Sequence, residues 1–80
     1  MSFTPENLAE LKLLMLYDIS TNQEGLKIHK TAEPSVIAAA QSLFEKGIIT
    51  QVDGGYLTNL GREAAEHAQS LDTMLNAHQK

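Results

Sequence analysis

The feature that constrains this chain most is its punctuation between residues 33 and 58. Glu33-Pro34-Ser35 opens a segment that closes at Gly47, and Asp53-Gly54-Gly55 follows shortly after. Proline suits the first helical turn and bars the residue before it from helix. Glycine is common just past a helix C-terminus. The interval predicts a helix over residues 34–46. Val36, Ile37, Ala40, Leu43 and Phe44 fall on its inner face, with Ser35, Ala38, Gln41, Ser42 and Glu45 opposite. Ile48-Ile49-Thr50-Gln51-Val52 is β-branched, Asp53-Gly54-Gly55 turns, and Tyr56-Leu57-Thr58 returns, which predicts a hairpin over residues 48–58. A two-stranded ribbon this small does not stand alone, so the rest of the chain must pack on it.

The flanking segments read as helices. Thr4-Pro5 is an N-cap with proline at the first helical position, and Glu6 suits the dipole, so a helix is expected over about 5–18. Its apolar residues run nearly all round, which implies burial on more than one side. Ser20 with Gln23, or Thr21 with Glu24, is a capping-box pattern that predicts a short helix over about 22–30, weakened by Gly25. Thr58 or Asn59 caps a last helix over about 59–77, with Leu60, Ala64, Ala68, Leu71 and Leu75 as its inner stripe. At 1.5 Å per residue that helix is close to ~30 Å long, more than the core of one small domain needs. The expected fold is mainly α with a small β-hairpin, a single domain over residues 1–80 ordered helix, helix, helix, hairpin, long helix. Gly61, Ala64, Ala65 and Ala68 permit close approach of another helix. With the apolar first helix they suggest a homodimer through the first and last helices. Its interface candidates are Leu13, Leu16, Ala64, His67, Ala68, Leu71, Met74 and Leu75.

Composition narrows the chemistry. Eighty residues make one small domain, and 42% hydrophobic residues are ordinary for a globular one. The absence of Cys excludes disulfides, thiol-ligated zinc and a catalytic Cys. Six Lys and Arg against ten Asp and Glu give a net charge of −4, unlike a general nucleic-acid binder. No apolar run approaches the ~20 residues of a membrane span, and the acidic N-terminus lacks a signal-peptide pattern, so the expected location is cytoplasmic with no membrane partner. No metal or cofactor is expected. His67 and His78 lie about 16 Å apart along one helix and cannot share an ion within a protomer. Asp53-Gly54-Gly55 lacks the spacing of a phosphate loop. No Ser or His sits in a catalytic spacing motif, and the chain is expected not to be an enzyme.

The stretch Glu33-Pro34-Ser35-Val36-Ile37, then Leu43-Phe44-Glu45-Lys46-Gly47-Ile48-Ile49, then Asp53-Gly54-Gly55-Tyr56-Leu57-Thr58-Asn59-Leu60-Gly61 resembles bacterial winged helix-turn-helix regulators. At whole-chain level the sequence is similar to a family of short uncharacterised bacterial proteins labelled DNA-binding. The resemblance implies a small transcriptional regulator that binds double-stranded DNA, with residues 34–46 as recognition helix and residues 51–56 as wing. Its base-reading candidates are Ser35, Ala38, Gln41, Ser42 and Glu45. Lys27, His29, Lys30 and Lys46 are its candidate phosphate contacts. The recognition helix has no Arg, its only Lys is its last residue, and the wing tip carries Asp53. Those charges support a second reading, a winged-helix protein–protein interaction module with no nucleic-acid role.

Overall fold

The computed structural model describes residues 3–20 and 25–77. The chain runs α1 (Pro5–Leu14), β1 (Leu26–Lys27), α2 (Pro34–Glu45), β2 (Ile49–Gln51), β3 (Gly54–Leu57) and α3 (Asn59–Asn76). It is mainly helical, with a small antiparallel sheet of three strands ordered β1-β3-β2.

α1 begins as its sequence predicts. The Thr4 hydroxyl accepts from the Asn7 N–H at 3.0 Å, and the Asn7 side chain accepts from the Thr4 N–H at 3.1 Å. This reciprocal pair satisfies two donors that a helix N-terminus leaves open. The helix ends at Leu14, short of the expected residue 18. Beyond it the chain tightens into turns, with the Leu16 N–H on the Leu13 carbonyl and the Tyr17 N–H on the Leu14 carbonyl. Side chains of α3 catch the carbonyls so freed. Gln69 Nε2 donates to the Tyr17 carbonyl at 2.9 Å, and the Arg62 guanidinium donates to the Ile19 carbonyl at 2.8 Å.

The expected helix over residues 22–30 is not present in residues 25–30. Residues 22–24 lie outside the described residues, as do Thr21 and the Gln23 and Glu24 of the capping boxes. Leu26 and Lys27 instead pair with Gly55 and Gly54. The side-chain-free edge of β3 lets another backbone come close. The Ile28 N–H extends the pairing to the Asp53 carbonyl at 2.8 Å. The hairpin is therefore part of a three-stranded sheet, with β3 at its centre.

α2 closes as predicted. Gly47 takes φ +76°, the Ile48 N–H reaches the Leu43 carbonyl and the Gly47 N–H the Phe44 carbonyl. These are the two bonds of a glycine-terminated helix end. The core is Leu13, Leu14 and Tyr17 after and within α1, Ala39, Ala40 and Leu43 of α2, Ile49 of β2, and Ala65 and Ala68 of α3. Two inner faces differ from expectation. Ile37 and Phe44 of α2 are exposed, while Ala39 is buried in their stead. On α3, Leu60, Leu71 and Leu75 are exposed, and Gly61, Ala65 and Ala68 form the buried stripe. Among the described residues, no helix is long and apolar enough to cross a membrane.

Candidate functional site

The exposed face of α2, the turn at Val52-Asp53 and residues 28–30 meet at a groove of about 250 Å³. Ile28, Ile37 and Val52 supply its apolar lining, and His29, Lys30, Gln41 and Asp53 its polar lining. Ile37 and Val52 are 38% and 52% exposed, so the groove opens widely to solvent. Phe44 lies on the same flank of α2 as Ile37, two turns further on, and is also exposed. Ser35, Ala38, Gln41 and Glu45 are exposed along the helix, as expected of them.

Two of the candidate phosphate contacts are already occupied by carboxylates. Lys46 Nζ lies 2.7 Å from Glu10 Oε2. Glu10 is buried, and it also accepts from the Ser42 hydroxyl at 2.7 Å and from Asn7 Nδ2 at 3.0 Å. Burial pushes the Glu10 carboxyl up. The hydrogen bonds from Lys46, Ser42 and Asn7 outweigh that and hold it below the ordinary range. Removing Lys46 from this cluster would strand a buried charge, which is costly. Ser42 is half-buried and turned toward α1, so it is not on the outward face expected of it. Lys27 pairs with Asp53 at 2.7 Å across the sheet, and that bond holds the Asp53 carboxyl below its usual range. Both partners are solvent-exposed, so this pair is weak and salt-sensitive.

Lys27, His29 and Lys30 do not share a helix. Lys27 stands in β1, and His29 and Lys30 follow it in the connection to α2, both exposed. The dimer candidates divide as well. Leu13 and Ala68 are buried in the chain's own core. Ala64 is half-buried, and Leu16, His67, Leu71, Met74 and Leu75 are exposed. No sequence pattern marks the role of Glu10. Its partners lie 32 and 36 positions away, beyond any local pattern. Among the described residues, no group of three His, Asp or Glu could hold a metal ion.

The match that decides the family covers residues 1–76 and is to a family of unknown function, DUF5669. The chain belongs to this family. No curated protein and no solved structure matches it. The DUF5669 match spans every element above, from the α1 cap to the end of α3.

Proposed function

We propose that this chain is a small protein-interaction module whose docking face is the outer side of α2 with the adjoining hairpin turn. The observation that carries this reading is the state of that face. On that face Lys27 is tied to Asp53 while Ile37, Phe44 and Val52 stand exposed, and Lys46 and Ser42 at the end of α2 are turned away from it to Glu10. A face whose Lys27 is neutralised, with Lys30 as its remaining lysine and three apolar side chains uncovered, suits a protein better than a polyanion. The occupant is an extended segment of another protein. It would set one apolar side chain between Ile28, Ile37 and Val52, with Gln41 and Asp53 hydrogen-bonding at the rim. The same reading takes the order α1-β1-α2-β2-β3-α3 as a winged-helix plan. β1 joined to the hairpin, and the hairpin directly after α2, support it. A non-catalytic role in the cytoplasm belongs to this reading.

Affinity capture with the full chain tests it. One stoichiometric protein should be recovered by the wild type and by Glu63→Gln, and lost with Ile37→Asp and Val52→Asp. Retention by both aspartate variants would overturn the assignment of the face.

Duplex DNA is the second reading. Gln41 is exposed at the middle of α2 with Lys30 and His29 across the groove, which is where an adenine edge and a phosphate would be met. Fluorescence anisotropy with mixed duplex at ~50 mM salt and about ten micromolar protein separates the two, because even non-specific binders register there. A salt-sensitive rise favours DNA, and a flat trace favours the protein partner.

A further inference from the structure

α3 carries two different faces. Gly61, Ala65 and Ala68 pack into the chain's own core. Beside them Leu60, Ala64, His67, Leu71 and Met74 recur at intervals of four, three, four and three residues. That alternation averages 3.5 residues, the spacing of a coiled-coil seam, and it runs alongside the core-packed stripe rather than on it. Leu60, Leu71 and Met74 are 54%, 41% and 63% exposed, and His67 is exposed with them. Every residue from 70 to 77 is exposed, so the last two turns extend beyond the core.

We propose that α3 pairs antiparallel with α3 of a second copy of this chain, with the two-fold axis level with residue 69. Three observations select that occupant and that direction. First, the seam positions from 60 to 74 hold no Asp, Glu, Lys or Arg, although the chain has a net charge of −4. Two like-charged copies need an uncharged strip on which to meet, and this is one. Second, the antiparallel register sets small against large. Ala64 faces the partner's Met74, and His67 faces the partner's Leu71. A parallel pair would oppose Ala64 with Ala64 and leave a gap, and interdigitation favours the mixed layers. Third, the core covers α3 only along Gly61 to Ala68. Antiparallel pairing lays the free half of each helix along the half of the other that carries its domain. A parallel pair would crowd both domains at one end.

Light scattering and cysteine cross-linking on the full chain test the proposal. Wild type should give a mass of about 18 kDa, twice its 8.8 kDa, at protein concentrations up to about 200 micromolar. Leu71→Glu and Met74→Glu should each return it to one chain while the far-UV circular dichroism melt of the core is kept. The chain has no cysteine, so introduced thiols report directly. Ala64→Cys mixed with Met74→Cys should form a cross-linked dimer. Ala64→Cys alone should not, since the two copies of that position lie about 15 Å apart along the axis, outside disulfide reach. A single-chain mass for wild type at the highest concentration overturns the proposal. So does a dimer indifferent to both glutamate substitutions, and so does self-cross-linking of Ala64→Cys.

Discussion

Glu10 is the one buried charged side chain among the described residues, and it joins α1 to α2. Its carboxylate receives hydrogen bonds from Asn7 in its own helix and from Ser42 and Lys46 at the end of α2. A buried carboxylate is tolerated only when so satisfied. Glu10→Ala removes three bonds at once and should destabilise the fold by about 1–3 kcal/mol in urea unfolding. The pH dependence follows from the direction of its shift. The folded-state pKa lies below the ordinary 4.5, so the ionised form stabilises the fold fully above that value. That contribution is lost as pH falls through the depressed folded-state value. Glu10→Gln should therefore flatten the acid limb of stability against pH, measured between pH 7 and pH 2. Tyr17 is the opposite case. Burial raises its hydroxyl from 10.0 to about 12, and among the described residues it finds no hydrogen-bond partner. The stabilisation tied to its neutral form is complete below pH 10 and is lost as pH rises through about 12. Tyr17→Phe should leave the melting temperature at pH 7 unchanged or higher, because no bond is broken. It should also remove that part of the alkaline loss.

At the scale of elements, Gly61 decides how α3 meets the sheet. A Cβ there would come within 1.9 Å of the Ile48 carbonyl oxygen and 3.3 Å of Ile48 Cγ2. Helix propensity alone says that Gly61→Ala stabilises by up to ~1 kcal/mol. The obstruction is backbone and cannot rotate away, so the expected outcome is a net loss of about 2 kcal/mol by thermal or urea unfolding. The same residue explains why the leucines of the expected α3 stripe lie outside the core. Periodicity points to the leucines, and Leu60, Leu71 and Leu75 do form an apolar stripe. Close approach kept Ala68 of the expected stripe and set Gly61 and Ala65 beside it in place of the leucines, because small residues let the helix lie against Ile48. Where the signal was local, it was legible. Thr4-Pro5, Glu33-Pro34 and Gly47 mark real starts and a stop, while the expected turn at Asp53-Gly54-Gly55 falls one step earlier, at Val52-Asp53, with Gly54 and Gly55 already in β3. Thr58 likewise caps α3, its hydroxyl accepting from the Gly61 N–H. Where structure came from distant partners, it was not. Leu26-Lys27 is a strand because β3 offers Gly54 and Gly55 to it, against the capping signals just upstream. In the candidate site, the exposure of Gln41, Ala38 and Glu45 followed from helical spacing. The capture of Ser42 and Lys46 by Glu10 did not.

For the whole molecule, charge separates the two partners the docking face could meet. The chain carries −4; the candidate face holds Lys27 beside Asp53, and Lys46 at the end of α2 is drawn off to Glu10 of α1. Each phosphate contact contributes roughly 0.9 to the slope of log affinity against log salt, so a DNA-binding face must keep its lysines free. Asp53→Asn with Glu45→Gln raises the formal charge from −4 to −2 and releases Lys27 without touching the buried cluster at Glu10. If duplex DNA were the natural ligand, this double variant would bind more tightly than wild type. Its salt slope would steepen by about one contact. If the face docks a protein through Ile37, Val52 and their rim, anisotropy with duplex stays flat for both proteins at ~50 mM salt. The double variant then loses affinity only for the protein partner, through the missing Asp53 carboxylate at the groove. The flat outcome is the one expected. Exposed apolar side chains remain on this face after the charges change, and they give a polyanion nothing to bind.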